Sequence, residues 1–220
     1  PWAMDLTMGI ACRNGLPHLH ACLASLPAIA ARVAGTAFLL VDSGSSDGTL
    51  AAMEDFARGR NDTRVLSMRG TVNLSATRNV ILEAARPGAV FIVDGDVAVE
   101  ADFVAAAMEA LRSGRADIVY GGLPEIHYDG NHRSIGEASD RYGVGGGGPR
   151  SLFHGVVLLG PAVTAAAVRY DARLTRCEDT DLAVRLADRF QILALPQTMG
   201  IHHTIPYYHA DRWRAVLRQG

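Results

Sequence analysis

The chain alternates short runs that are apolar at nearly every position with longer stretches that are apolar only at every third or fourth. Leu6 to Cys12, Thr36 to Val41 and Ala89 to Val93 are runs of the first kind, partly β-branched, as strands covered on both faces read. Thr63 to Met68, Ala116 to Gly121, Ser151 to Leu159 and Phe190 to Leu195 continue the series. Helical patterns lie between them. Leu19, Cys22, Leu23 and Leu26 fall at i, i+3, i+4 and i+7, one stripe that can lie on a sheet. Asp47 can cap a helix to about Arg58, Asn73 one that runs through Leu74, Ile81 and Ala85, and an alanine-rich helix spans about Glu100 to Arg112. The alternation through Gly121 implies right-handed crossovers and a doubly wound α/β domain, with a mostly parallel central sheet and helices on both faces. From Asp129 to Arg150 the pattern breaks down into polar and glycine-rich sequence, with Gly145 to Gly148 consecutive, and reads as a mobile lid or acceptor loop.

Two of the apolar runs stop at carboxylates. Thr36 to Val41 ends at Asp42, and Ala89 to Val93 ends at Asp94-Gly95-Asp96. In an open α/β sheet the crevice outside the carboxyl ends of the strands is where ligands bind. Two acids there, with Gly95 in the tight turn between them, suit a hard divalent cation such as Mg or Mn that shares its oxygen ligands with a substrate phosphate. The alternative for the same tripeptide is a surface turn. Arg78, inside the Asn73 helix, is either solvated or near enough to that edge to offer a planar fork to a phosphate.

A further helix starts at Cys177-Glu178-Asp179. Counting from Asp179, Leu182, Ala183 and Leu186 fall at i+3, i+4 and i+7, so Asp179 is expected on the inward face and Asp181 outward, paired with Arg185 at i+4. An inward carboxylate at a helix start is either a cap or a working acid. His202 and His203 follow the last strand, as candidate cation ligands or as surface histidines. His154 in an apolar strand reads more naturally as a satisfied core residue.

Composition narrows the function. The 220 residues carry a formal charge of −2, so no bulk attraction to nucleic acid or anionic lipid is indicated. Every basic residue is arginine, which excludes a lysine-dependent mechanism. Cys12, Cys22 and Cys177 are odd in number and lack a CxxC pair, which suits a reducing compartment and argues against structural zinc. No stretch resembles a signal peptide and no apolar run is long enough to span a bilayer, so a cytoplasmic location, or peripheral contact at the cytoplasmic face of a membrane, is expected.

Taken in order, the motifs resemble family 2 glycosyltransferases of the GT-A fold, over nearly the whole chain. Val41-Asp42-Ser43-Gly44-Ser45-Ser46-Asp47-Gly48-Thr49 resembles their nucleotide-binding signature, and Leu74-Ser75-Ala76-Thr77-Arg78-Asn79 their next helix. Asp94-Gly95-Asp96 resembles their DxD motif, Glu178-Asp179 their ED motif, and Ile10-Ala11-Cys12-Arg13-Asn14 their first strand and loop. The resemblance implies a single GT-A domain over 1–220, with 1–96 the nucleotide-binding half and 97–220 the acceptor-binding half. It implies that Ala11, Asn14 and Asp42 line the nucleoside pocket and that Arg78 approaches the diphosphate. Asp96 would be the main ligand of a Mn or Mg ion, Asp94 would lie near the ribose or behind the metal, Asp179 would be the catalytic base, and His202 or His203 would give a late metal or phosphate contact.

Two departures stand out. Ser43 occupies a position where many relatives carry a second acid, so it can bond the base but leaves the nucleotide open, and His154-Gly155 matches the family's acceptor motif only in part. The donor implied is a UDP-, dTDP- or GDP-sugar and the acceptor a glycan, a lipid-linked glycan or a small molecule, as in polysaccharide assembly. Breaking a bond to a diphosphate calls for positive charge nearby, and one base without an opposed nucleophile points to direct displacement with inversion. The competing readings are a sugar-phosphate nucleotidyltransferase, which should open with a glycine-rich basic loop that Arg13-Asn14-Gly15 does not supply, and a non-catalytic nucleotide-sugar-binding module.

Overall fold

A computed structural model describes residues 4–70, 72–138 and 155–205. Strand β1 (Leu6–Cys12) is buried at every position and lies between two parallel neighbours, β2 (Thr36–Asp42) and β4 (Ala89–Asp94). Its register brings Cys12 beside Asp42 and Ala11 beside Asp94, so both acids reach the same carboxyl edge. Strand β3 (Thr63–Ser67) pairs with β2, and the seven-stranded sheet runs β10-β6-β9-β4-β1-β2-β3, where β6 is Ile118–Gly122, β9 Val157–Leu159 and β10 Ile192–Thr198. The chain winds from β1 outward to β3 and then returns to place β4 on the other side of β1. Strand order therefore reverses between β1 and β4, the point at which the crevice of such a sheet opens.

The helices follow from the same winding. Right-handed crossovers put α1 (Leu19–Arg32) and α2 (Thr49–Ala57) on one face and α3 (Leu74–Ala84), which leads back to β4, on the other. In agreement, α1 packs against α2 and α4 (Ala101–Arg112), while α3 packs on β1, β2 and β4. The stripe Leu19, Cys22, Leu23 and Leu26 is buried, as its spacing requires.

Three readings of the sequence need correction. The run expected as a strand from Ser151 is strand only over Val157–Leu159, and it is antiparallel, wedged between β4 and β6; residues 151–154, His154 among them, lie outside the described residues. The stretch expected to be a loop from Asp129 contains strand β8 (Ser134–Ala138), which pairs antiparallel with β7 (Glu125–Tyr128); residues 139–150 lie outside the described residues. His202 and His203 do not trail the last strand but sit inside one, β11 (Gly200–Thr204). Strand β11 bridges β7 and β5 (Val97–Val99) in a second sheet of order β5-β11-β7-β8. That sheet holds its histidines against the Asp96 turn. The remaining helices are α5 (Pro161–Ala165) and α6 (Glu178–Ala187).

Candidate active site

The site is built where the ends of β1, β2 and β4 meet. Gly95 N–H donates to the carbonyl of Ala11 at 2.9 Å, tying the turn after β4 to the end of β1. Gly95 is required by space: a Cβ there would lie 2.5 Å from Cys12 Sγ and 2.7 Å from Cys12 Cβ. Cys12 is accordingly an inert packing thiol, pushed up to about 12 by burial and by the surrounding carboxylates.

The loops after β1 and β2 are stitched together. Asn14, at φ 50°, donates its N–H to Ser45 Oγ at 2.8 Å and accepts from Ser46 N–H at 2.9 Å. Asp47 accepts from Thr49 N–H at 3.0 Å and from Leu16 N–H at 3.0 Å, so it opens α2 and ties it to the β1 loop. Asp42 is buried and bonds its own turn, accepting from Gly44 N–H and Ser45 N–H at 3.2 Å and from Ser67 Oγ at 3.3 Å. Ser43 is buried too, its hydroxyl 2.6 Å from that of Thr77. These bonds build one fixed loop cluster beside Ala11, in which Asp42 and Ser43 already have protein partners.

Asp96 lies next to it. One oxygen, Oδ2, is 3.3 Å from His202 Nε2, while the other, Oδ1, is buried and has no hydrogen-bond partner among the described residues. Burial alone would lower the His202 imidazole, but the hydrogen bond and charge of Asp96, aided by Asp94 and by Glu125, whose Oε1 is 3.4 Å from His202 Nδ1, hold it up to about 9. Asp96 in turn is kept below the usual carboxylate range: burial pushes it up, and the His202 hydrogen bond and charge more than offset this. His203 faces elsewhere. Its backbone N–H donates to the Asp96 carbonyl at 2.8 Å, and its Nδ1 meets Tyr128 Oη at 2.8 Å. The rings of His18 and Tyr128, 4.4 Å apart, lie beside it, with His18 stacked 5.9 Å from the His203 ring.

A cation fits the acids in one specific respect. An ionised oxygen shut off from water and from donors is costly, and a bound cation would supply the missing partner. Among the described residues no group of three or more His, Cys, Asp and Glu side chains is arranged to hold a metal by itself. Mg or Mn taken by one or two carboxylates plus substrate phosphates does not need such a cage.

Arg78 departs from its expected place. It is 1% exposed, with Nη1 2.9 Å from Glu178 Oε1 and Nη2 2.8 and 3.0 Å from the two oxygens of Asp94. Burial would strip its charge, but Asp94 first and then Glu178 keep it a permanent cation. Its two terminal nitrogens therefore point to carboxylates, not to the open crevice. The ED pair differs from expectation as well. Glu178, not Asp179, shares the buried face with Leu182, Ala183 and Leu186, while Asp179 is half-buried and accepts from Thr180 N–H at 2.7 Å. Asp181 pairs with Arg185 as its spacing predicted. Asp179 still belongs to this neighbourhood: burial pushes the Tyr170 phenol well up, Arg78 opposes, and Asp94, Asp179 and Glu178 all add to the rise.

Glu178 entered the sequence reading only as part of the ED motif, without a role of its own, and Glu125, Tyr128, Tyr170 and His18 were not singled out. A count from Glu178 rather than Asp179, reaching Leu182 at i+4 and Leu186 at i+8, would have marked the first; nothing local marks the others.

The sequence pattern of the family described as Glycosyl transferase family 2 matches residues 7–160. Among curated protein sequences none matches the chain. Solved structures share its fold. The S. aureus TarS 1-349 structure in complex with UDP has a TM-score of 0.72 at 16% identity, covering 98% of this chain and 64% of its own. The same protein in complex with UDP-GlcNAc has a TM-score of 0.71, with 94% and 60% covered, at 16% identity. The mannosyltransferase PcManGT from Pyrobaculum calidifontis, in complex with GDP-Man and Mn2+, has a TM-score of 0.72 at 17% identity, covering 99% of this chain and 62% of its own. The chain thus spans somewhat under two thirds of the length of these structures. At such identities the structural likeness establishes the fold alone, whereas the sequence pattern covers well over half of the residues, and on that ground the chain belongs to glycosyl transferase family 2.

Proposed function

We propose that this domain transfers a sugar from a nucleoside diphosphate donor to a hydroxyl acceptor, with inversion and with a Mn or Mg ion at Asp96. The observation that carries the reading is the buried Oδ1 of Asp96, without a partner among the described residues, at the point where strand order reverses. The TarS structures with UDP and UDP-GlcNAc and the PcManGT structure with GDP-Man and Mn2+ support the donor class.

The stitched loops around Ala11, Asn14, Asp42 and Ser43 would receive the nucleoside, Asp42 serving chiefly to hold its loop. Asp96 would hold the cation, with Asp94 behind it and His202, whose ring meets Asp96, contributing from β11, while the His203 ring is turned to Tyr128. When bound, the cation would neutralise charge that builds on the departing diphosphate. Asp179, at the accessible start of α6, would take the proton of the acceptor hydroxyl as it attacks. Residues 1–96 would thus supply the donor side and 97–220 the acceptor side, although β11 closes the donor site from the second half. The acceptor class stays as broad as glycan, lipid-linked glycan or small molecule. Among the described residues no helix is long and apolar enough to cross a membrane.

The test is calorimetric titration of UDP, dTDP and GDP with and without manganese, on the parent and on Asp96→Asn. One nucleotide should bind the parent at least tenfold tighter with manganese, and Asp96→Asn should lose that gain. An equal manganese gain in the variant would remove Asp96 from the cation site.

A further inference from the structure

Helix α3 carries Arg78, which the resemblance placed near the donor diphosphate, yet Arg78 and several of its polar neighbours are turned toward the segment that leads into α6. Asn79 grips the backbone of Tyr170 with both ends of its amide: Nδ2 donates to the carbonyl at 2.9 Å and Oδ1 accepts from the N–H at 2.8 Å. Asn73 Nδ2 donates to Ala172 O at 2.7 Å and Ser75 Oγ to Leu174 O at 2.9 Å. Arg78 Nη1 then bonds Glu178, the residue before Asp179. From Tyr170 to Glu178 the chain is laid along α3 at four points, three made by side chains of the helix and one by its N-cap Asn73.

Arg78 alone among these reaches the other side as well. Its Nη2 holds both oxygens of Asp94, its guanidinium lies 5.4 Å over the Tyr170 ring, and Gly155 leaves it room, since a Cβ there would overlap Nη2 and lie 3.0 Å from Asp94 Oδ2. Both terminal nitrogens are committed to carboxylates and Nε, which has no partner among the described residues, is itself buried, so a phosphate would have to compete with charged bonds already made. We propose that Arg78 is a positioning residue: it spans Asp94 and Glu178, and so fixes the start of α6, with Asp179, relative to the Asp94-Gly95-Asp96 turn. The inference rests on the donor site proposed above and replaces a phosphate contact by Arg78 with a structural link between the two acidic motifs. The requirement is for a fork. Lysine offers a single nitrogen and would hold one carboxylate at a time.

The test compares the parent chain with Arg78→Lys, Glu178→Gln and the double variant in three measurements. These are manganese-dependent UDP and GDP affinity, steady-state hydrolysis of the matching nucleotide-sugar, and hydrogen exchange of the amides of 170–182. Each single variant should lower kcat by about a hundredfold, the scale of a misplaced reacting group, with nucleotide affinity and donor KM within about threefold of the parent. The double variant should be no worse than the worse single one, because both cut the same link. Exchange in 170–182 should rise in all three. Glu178→Gln keeps the side chain's size while removing the charge that Arg78 pairs with, and it serves if Arg78→Lys does not fold. The proposal is overturned if Arg78→Lys weakens nucleotide affinity as much as turnover while Glu178→Gln does neither, which is the signature of a phosphate ligand. It is overturned equally if exchange in 170–182 is unchanged. Failure of the donor reading looks different: the parent itself would bind neither nucleotide, and exchange would still report whether Arg78 fixes the segment.

Discussion

Asp179→Asn separates a base from a cap. In the folded chain Asp179 is half-buried in the first turn of α6, together with Glu178 and Asp181, and it accepts from the N–H of Thr180 at 2.7 Å and from the Thr180 hydroxyl at 3.4 Å. Asparagine keeps that acceptor and loses only the charge, whose favourable interaction with a helix start amounts to about 0.3–1 kcal/mol. For a domain of this size that corresponds to a Tm shift below about 4 °C. Loss of a general base is a far larger effect, about two to four orders of magnitude in turnover, or roughly 3–5.5 kcal/mol in barrier. Asp181→Asn is the control. It breaks a pair with Arg185 at 2.7 Å in which the side chains are 34% and 43% exposed, so solvent screening leaves about 0.3–0.5 kcal/mol and no effect on turnover. The assay is release of nucleoside diphosphate from the nucleotide-sugar that binds, with water as the acceptor, alongside nucleotide affinity and thermal melting. Asp179→Asn turning over within tenfold of the parent, or falling no further than Asp181→Asn, would refute the assignment and return the choice to Glu178 and the histidines of β11.

Gly95→Ala should lower Tm by about 3–10 °C, because its methyl group meets the Cys12 side chain at 2.5–2.7 Å in a packed core, and it should weaken manganese-dependent nucleotide affinity by displacing the Asp96 turn; melting and calorimetry on one sample read both. Asp47→Asn should flatten the acid limb of the stability profile. Burial raises the Asp47 pKa, but bonds from Thr49 and Leu16 outweigh this and leave it below its usual value, so its contribution is present above the unfolded pKa of about 3.9 and lost as pH falls through the folded value. Tm measured from pH 5 downward should therefore fall less steeply in the variant, by a small margin since Asp47 is exposed. An identical acid limb would show that the carboxylate has no such preference for the folded state.

The sequence alone determined what depends on neighbours in the chain. Burial on both faces makes a parallel strand apolar throughout, so β1, β2 and β4 and the acidic ends of β2 and β4 were visible, and with them the carboxyl edge that the three strands share. Helix periodicity revealed α1 and α4, and the capping chemistry of Asn73 placed the start of α3, where its side chain accepts from Ala76 N–H at 2.9 Å. The i+4 rule paired Asp181 with Arg185.

What stayed hidden was set by partners distant in sequence. Strands β7 and β8 are four and five residues long and β5 is three, too short for periodicity to rise above a loop; β5 and β7 are joined through β11, some 75 residues or more further on, while β8 is held by β7 alone. The antiparallel insertion of β9 leaves no local mark either, since a buried run reads the same in both directions. Arg78 shows the limit most plainly. Its sequence neighbourhood is that of a helix residue near a ligand edge, and only tertiary structure brings Asp94 from 16 residues away and Glu178 from 100 residues away to its two terminal nitrogens. A buried guanidinium must find its counter-charges, and which carboxylates supply them is decided by how α3, β4 and α6 pack together.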